Sequence, residues 1–273
     1  MYSKSLMLLL GLNGLFITNS VSASSVVLAY KNVLPDTQLI IKQTIKVGDE
    51  GKMQVLRNFN FEFSNSDKQI SKQPEPVVLT LEHVKASYTA HEQTMTLPSR
   101  HIRNNAFRYQ LSDDKKHWIK SEQEEKYINL GTITEPGYSV ANSLTSVLPI
   151  LPKIAIAEGS TWSTKREFQS LEGWSWADGT TQTTHTVKRI ETVNKEVIVH
   201  IESQAVGKLK AFEGKDNYQS LGPLTRELSW TFNATNGQLT SLNLHQKAKG
   251  KSKVPQGMVK VENIVNVKLT TSQ

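Results

Sequence analysis

The chain has 273 residues, with 32 Lys and Arg against 25 Asp and Glu, a formal net charge of +7 and no cysteine. The lack of cysteine excludes disulfide bonds, thiol catalysis and cysteine-ligated metal sites. It also removes the residue to which lipid is attached after a bacterial signal peptide. We therefore expect a soluble mature protein that is held together by packing and sheet hydrogen bonds.

The first 23 residues have the three parts of a secretory signal peptide. Lys4 lies in a short polar start, residues 6–17 form an apolar run, and Val21, Ser22 and Ala23 include the small residues that a signal peptidase recognises. The apolar run is shorter than the roughly 20 residues that a transmembrane helix needs. We predict cleavage near Ala23, no transmembrane segment after cleavage, and a mature protein in the periplasm or outside the cell.

Period-two alternation predicts β-strands through most of the mature chain. It is clearest in two runs, at 38–47 and 53–63, which flank a glycine-containing turn at 48–51 and predict an antiparallel hairpin. Further alternating runs lie at 77–82, 107–112, 117–119, 185–193, 196–203, 228–232, 242–244 and 259–269. Because one face of these strands is polar, we expect an all-β fold: an antiparallel sandwich, an open barrel or a curved sheet.

The middle of the chain breaks this pattern. Residues 140–148 predict a short central helix, which Pro149 and Pro152 would end. This segment divides the mature chain into an N-terminal β lobe at 24–140 and a C-terminal β lobe at 141–273, unless the two form one continuous domain.

A Leu-Pro stretch precedes a Gly-x-x-Trp motif here. Its residues are Leu148, Pro149, Ile150, Leu151 and Pro152, followed by Glu158, Gly159, Ser160, Thr161 and Trp162. The pattern resembles one in exported bacterial β-rich proteins of unknown function, and the similarity covers about the second half of the chain. The resemblance implies a fold class and a compartment, and it implies no substrate and no catalytic residue.

The common catalytic motifs are absent from the sequence: Gly-x-Ser-x-Gly, His-Glu-x-x-His, the Walker loop and Gly-x-Gly-x-x-Gly. No two histidines are two or four residues apart, and only His83, His91 and His101 lie in one region, so the spacing does not favour a zinc site. We predict no catalytic residue, no metal site and no cofactor. A hydrolase with a dispersed site is the alternative.

Four of the five tryptophans lie in the second half of the chain: Trp162, Trp174, Trp176 and Trp230. Two interpretations are open. The four rings form an aromatic platform for a sugar ring or a lipid chain, or they pack in the core, where tryptophan is mostly buried.

Lys247, Lys249, Lys251 and Lys253 alternate along one segment and would line one face of a strand. They predict an anionic partner, such as a membrane surface, an acidic polysaccharide or a nucleic acid. The alternatives are a sheet edge protected by lysines and a solvated loop. No aromatic residue interleaves with these lysines, which argues against single-stranded nucleic acid.

The leading functional hypothesis is an exported, non-catalytic protein that binds a lipid or another apolar or amphipathic envelope ligand. A glycine-rich polar span at 207–223 predicts a long loop, which would serve as a lid. The alternative is an assembly or structural factor that binds an envelope protein through the lysines or an open sheet edge. A ligand carrier is expected to contain an apolar cavity of roughly 300 Å³ or more under the sheet.

Overall fold

A computed structural model of the chain describes residues 25–31, 35–49, 51–63, 76–90, 93–120, 127–128, 138–168, 179–209, 222–254 and 257–271. The predicted signal peptide, Trp174, Trp176 and residues 210–221 of the predicted loop lie outside these ranges. For part of the described chain, including most of β3 and β4 as defined below, the backbone alone is described.

The described residues form thirteen β-strands and one α-helix. The strands are β1 (Thr37–Val47), β2 (Gly51–Phe63), β3 (Pro76–Ala90), β4 (Gln93–Leu111), β5 (Trp118–Lys120), β6 (Tyr127–Ile128), β7 (Tyr138–Ser139), β8 (Thr161–Phe168), β9 (Gly179–Val193), β10 (Glu196–Leu209), β11 (Pro223–Asn233), β12 (Gln238–Val254) and β13 (Gly257–Thr271). The helix, α1, is Val140–Val147. This confirms the predicted all-β fold with a short central helix.

Eleven of these strands form one open antiparallel sheet, in the order β5-β4-β3-β2-β1-β13-β12-β11-β10-β9-β8. Strands β6 and β7 pair separately. Strand β1 pairs with β13 along its whole length, from Thr37 opposite Thr271 to Val47 opposite Val261. Strands from both halves of the chain therefore belong to the same sheet.

Two hairpin turns have backbone angles that match their sequences. The first hairpin, β1–β2, turns at Gly48, whose φ of +63° lies in the left-handed region that glycine adopts readily. The β9–β10 hairpin turns at Asn194 and Lys195, and both residues have positive φ, as a two-residue type I′ turn requires.

One face of the sheet, the inner face, is apolar and packs against α1 and the segments 25–31 and 148–156. Leu144 and Val147 of the helix and Leu148, which follows it, are buried, and Leu28 and Tyr30 fill the core beside them. The opposite, outer face is polar. Burial of each large apolar side chain contributes about 1.5–3 kcal/mol, so this packing replaces the disulfides that the chain cannot form.

The guanidinium of Arg166 holds the end of α1 against the sheet. It donates hydrogen bonds to the carbonyl oxygens of Thr145, Ser146 and Leu148, at 2.9, 2.6 and 2.8 Å. These carbonyls lie at the end of the helix, where they have no partner within it. The arginine on β8 thus satisfies the helix terminus.

The predicted 207–223 loop is shorter than the sequence indicated. Strand β10 continues to Leu209 and pairs Lys208 with Pro223, the first residue of β11. The sequence did not indicate this continuation of the strand because Gly207 interrupts the alternation.

In the described part of the chain, no helix is long and apolar enough to span a bilayer.

Candidate functional site

An open cavity of about 800 Å³ lies on the outer face, across the five central strands β1, β13, β12, β11 and β10. Ten of its lining residues belong to two rows that run across the strands. The first row is Ile40, Lys268, Asn243, Ser229 and Glu202. The second row is Lys42, Asn266, His245, Glu227 and Gln204. Strand pairing alone brings these residues together, because neighbours in each row are direct cross-strand partners.

The lining is amphipathic, with more polar than apolar groups. Amide, hydroxyl, imidazole, ammonium and carboxylate groups are all present, and Ile40 contributes an aliphatic side chain on the same face. The side chains of the other aliphatic lining residues, Leu228, Leu244 and Val267, belong to the inner-face core. One internal hydrogen bond orders it, because the Nδ1–H of His245 donates to Oδ1 of Asn266 at 2.8 Å. Most of the polar groups are exposed, so they are accessible to a ligand.

Charge is distributed unevenly along the cavity. Lys42 and Lys268 lie at its β1–β13 end, whereas Glu202 and Glu227 lie at its β10–β11 end. Because neighbouring strands are about 4.8 Å apart, roughly 14 Å separates the strand of Lys42 from that of Glu227. Within the described ranges, no carboxylate lies within 4 Å of the Lys42 or Lys268 ammonium, whereas Glu202 binds Lys188 at 2.9 Å. The cationic end is therefore available to an anionic group.

The lysine segment lies on β12, on the same face as the cavity. Lys247, Lys249 and Lys251 point outward, since the residues between them are on the inner face, as buried Ala248 illustrates. The side chain of Lys253 lies outside the described residues. Lys247 belongs to the interior of the sheet, opposite Thr225 of β11, so it does not protect an edge. Binding of an anionic partner stays a prediction.

The two described tryptophans of the predicted platform lie on the inner face. Trp230 is 2% exposed. Trp162 is partly buried against the core, and the two ring centroids lie 6.1 Å apart. Trp162 and Trp230 therefore lie where the core-packing interpretation places them. A ligand-binding role for the four tryptophans stays a prediction.

A buried hydrogen-bond chain links Thr164, His185, Ser203 and Trp230. Oγ1 of Thr164 lies 3.0 Å from Nε2 of His185, and Nδ1 of His185 lies 2.7 Å from Oγ of Ser203. The indole N–H of Trp230 donates to the same hydroxyl at 2.9 Å. Each polar group of this hydrogen-bond chain has a partner if the Ser203 hydroxyl donates to Nδ1 of His185 and the Nε2–H of His185 donates to Oγ1 of Thr164.

This chain contains a Ser–His pair, which is the arrangement of an activated nucleophile. Its environment differs from that of a catalytic site, because His185 and Ser203 are each only 3% exposed. Burial, with a smaller contribution from the positive charge of Arg166, lowers the pKa of His185 to about 4. A neutral, enclosed imidazole of this kind has a structural function in the core.

Two more polar pairs lie on the inner face, and alternation did not indicate them. Arg226 donates from Nε to Oε1 of Gln246 at 2.6 Å, and Gln43 donates to Oδ1 of Asn263 at 3.3 Å. Burial, with a smaller contribution from Arg166, lowers the pKa of Arg226 to about 9. These groups partner each other across neighbouring strands and therefore belong to the core.

The described residues contain no cluster of three or more His, Asp or Glu side chains that is arranged to hold a metal ion. This statement does not cover His83, His91 and His101, whose side chains are not described.

The chain matches no family model, no curated protein and no solved structure. The cavity must therefore be interpreted from its own geometry.

Proposed function

We propose that this protein is an exported, non-catalytic binding protein, and that it holds an extended amphipathic ligand with an anionic group on the outer face of its sheet. The observation that carries the proposal is the cavity of about 800 Å³ across five strands. Ligand sites in proteins usually have volumes of about 300–1,000 Å³. The lining combines charged and amide groups with apolar surface, which favours an amphipathic ligand over a purely apolar one.

The charge distribution supports a defined orientation of the ligand. An anionic group would bind between Lys42 and Lys268, while hydroxyl or amine donors would face Glu227 and Glu202. Asn243, in the middle of the first row, would offer an amide donor and an acceptor to the central part. The length of the cavity suits a chain-like ligand of roughly 14 Å or more, since that length spans three strand spacings.

Export is the second part of the proposal, and the polar-apolar-small pattern of the first 23 residues supports it. We expect the mature protein to begin at Ser24 and to be found in the periplasm or outside the cell. Intact-mass measurement of protein from its natural host tests this part. A mature chain that still begins at Met1 would contradict it.

Native mass spectrometry of the protein purified from the envelope of its host tests ligand binding. We expect a co-purifying mass on the wild type and its loss in Asn243→Trp, because the indole would fill the middle of the cavity. Gln182→Trp is the matched control: Gln182 is exposed on β9 and lies outside the cavity lining. A wild-type protein without any bound mass, or a mass retained by Asn243→Trp, would reject the proposal.

Charge reversal provides a second measurement that does not fill the cavity. The double variant Lys42→Glu and Lys268→Glu retains two exposed polar positions and should fold normally. We expect it to lose the co-purifying mass if the ligand is anionic. Retention of the same mass would show that these ammonium groups do not bind it.

A further inference from the structure

Among the described residues, the β12–β13 hairpin extends beyond the strands on both sides of it. Strand β1 ends at Val47, opposite Val261, and β11 begins at Pro223, close to the level of Lys249. The hairpin continues from there through the pairs Lys251–Lys260, Ser252–Val259, Lys253–Met258 and Val254–Gly257. Its tip therefore forms a two-stranded ribbon at one end of the sheet.

Six lysines whose side chains are described gather on the outer face at this end, and we call them the basic hairpin surface. They are Lys46, Lys52, Lys247, Lys249, Lys251 and Lys260. The acidic residues described beside them are Glu262 and Asp49. Glu262 binds Lys46 at 2.9 Å and Lys247 at 2.8 Å. In the described part of the chain, the other four ammonium groups have no carboxylate within 4 Å.

Two pairs of these lysines are direct cross-strand partners. Lys46 lies opposite Lys52, and Lys251 lies opposite Lys260. Like charges directly opposite each other destabilise a sheet, so this arrangement does not stabilise the fold. A polyanionic partner would neutralise the repulsion, and its charge is complementary to the surface.

The tip also exposes apolar surface. Met258 is 53% exposed and lies two residues from Lys260, on the same face. Lysines beside an exposed flexible apolar side chain suit the membrane interface, where the ammonium groups bind lipid phosphates and the apolar group enters the acyl boundary. A membrane interface would take up both the ammonium groups and Met258, which favours a membrane over a nucleic acid or a polysaccharide.

We infer that the basic hairpin surface docks the protein onto a membrane surface rich in anionic lipid, with the tip of the hairpin at the interface. This surface is separate from the cavity, and docking does not depend on a ligand there. The two share the outer face, since Thr44 and Ile264 are the β1 and β13 residues between them. Docking would therefore place the cavity close to the membrane.

Vesicle flotation with the full-length mature chain tests the inference. We expect the wild type to bind vesicles that contain phosphatidylglycerol and phosphatidylcholine, not to bind vesicles of phosphatidylcholine alone, and to dissociate as salt concentration rises. The triple variant Lys249→Ser, Lys251→Ser and Lys260→Ser should lose about 100-fold in affinity, because each lysine near an anionic surface contributes about a five-fold factor.

The matched control replaces Lys153, Lys165 and Lys188 by Ser, which removes the same charge from exposed positions elsewhere. It should change affinity less than five-fold, and both variants should keep the thermal unfolding transition of the wild type. Met258→Ser should weaken the vesicle binding that remains when the salt concentration is high. Absence of binding to phosphatidylglycerol vesicles, or equal losses in both triple variants, would overturn the inference. Tight binding of duplex DNA or an acidic polysaccharide without vesicle binding would also overturn it.

Discussion

The hydroxyl of Ser203 lies 2.7 Å from Nδ1 of His185, its direct cross-strand partner on β9. The same hydroxyl accepts the indole N–H of Trp230 from β11. One small side chain thus joins three neighbouring strands on the inner face. Two of these strands, β10 and β11, also line the cavity on the opposite, outer face.

Ser203→Ala should destabilise the protein by about 1–3 kcal/mol, because it leaves the buried indole N–H of Trp230 without a partner. Ser229→Ala removes the same hydroxyl from an exposed position on the outer face and should change stability by less than about 0.5 kcal/mol. Chemical denaturation of both variants measures the difference. Equal effects would show that the buried network contributes nothing.

Stability should fall as the solution is acidified from pH 6.5 towards pH 4. His185 has a pKa of about 4 in the folded chain and near 6.5 in the unfolded chain. Between these values the unfolded state binds more protons, so the free energy of unfolding decreases with falling pH. The stabilisation that comes from the neutral imidazole of His185 is fully present above pH 6.5, and roughly 3 kcal/mol of it is lost by pH 4.

Comparison with His185→Gln isolates this effect from the carboxylates, which titrate in both proteins. The variant should show a shallower loss of stability over the same pH interval. His245→Gln, at an exposed position, should retain the wild-type slope. Identical slopes for the wild type and His185→Gln would contradict the assignment of a buried neutral imidazole.

Gly237→Ala should be more destabilising than Gly48→Ala, although both glycines have a φ of +63°. A Cβ at position 237 would lie 2.8 Å from the carbonyl oxygen of Ala29, whereas one at position 48 meets no atom within 4 Å. We expect about 1 kcal/mol for Gly48→Ala from backbone strain alone. Gly237→Ala should cost more, because its Cβ must also displace segment 25–31. A loss of stability no larger than that of Gly48→Ala would show that segment 25–31 does not pack closely against Gly237.

Glu262→Gln should increase affinity for phosphatidylglycerol vesicles about five-fold. Hydrogen bonds from Lys247 and then Lys46 lower the pKa of Glu262 to about 2, so the carboxylate is charged throughout the neutral range. Neutralising it releases two lysines and adds one net positive charge at the surface. Glu167→Gln, at an exposed position on β8 at the far edge of the sheet, should leave vesicle affinity nearly unchanged. Lower affinity of Glu262→Gln would contradict an electrostatic docking mechanism.

The sequence predicted the elements of this fold better than their arrangement. Alternation and the glycine turn at 48–51 predicted β1 and β2, and proline at positions 149 and 152 indicated where α1 ends. Pairing of β1 with β13 joins residues more than 200 positions apart, and no local pattern encodes it. The cavity depends on that pairing, so its lining residues looked like ordinary solvent-facing positions of separate strands.

The His185–Ser203 pair shows a second limit of sequence analysis. The turn at Asn194 and Lys195 sets a register in which Gln204 would face His185. A β-bulge between His200 and Ile201 shifts the register by one residue and brings Ser203 opposite instead. Nothing in the local composition marks the bulge, and for this reason the buried network was not predicted.

Photo-crosslinking in living cells tests the central claim, ligand binding on the outer face, most directly. Benzoylphenylalanine is introduced at Asn243 in the cavity and, separately, at Gln182 outside it, and the irradiated protein is analysed by intact mass. The account predicts an adduct of defined mass at Asn243 only, and its loss when Lys42 and Lys268 are changed to Glu. No adduct at Asn243, or the same adduct at both positions, would contradict the account.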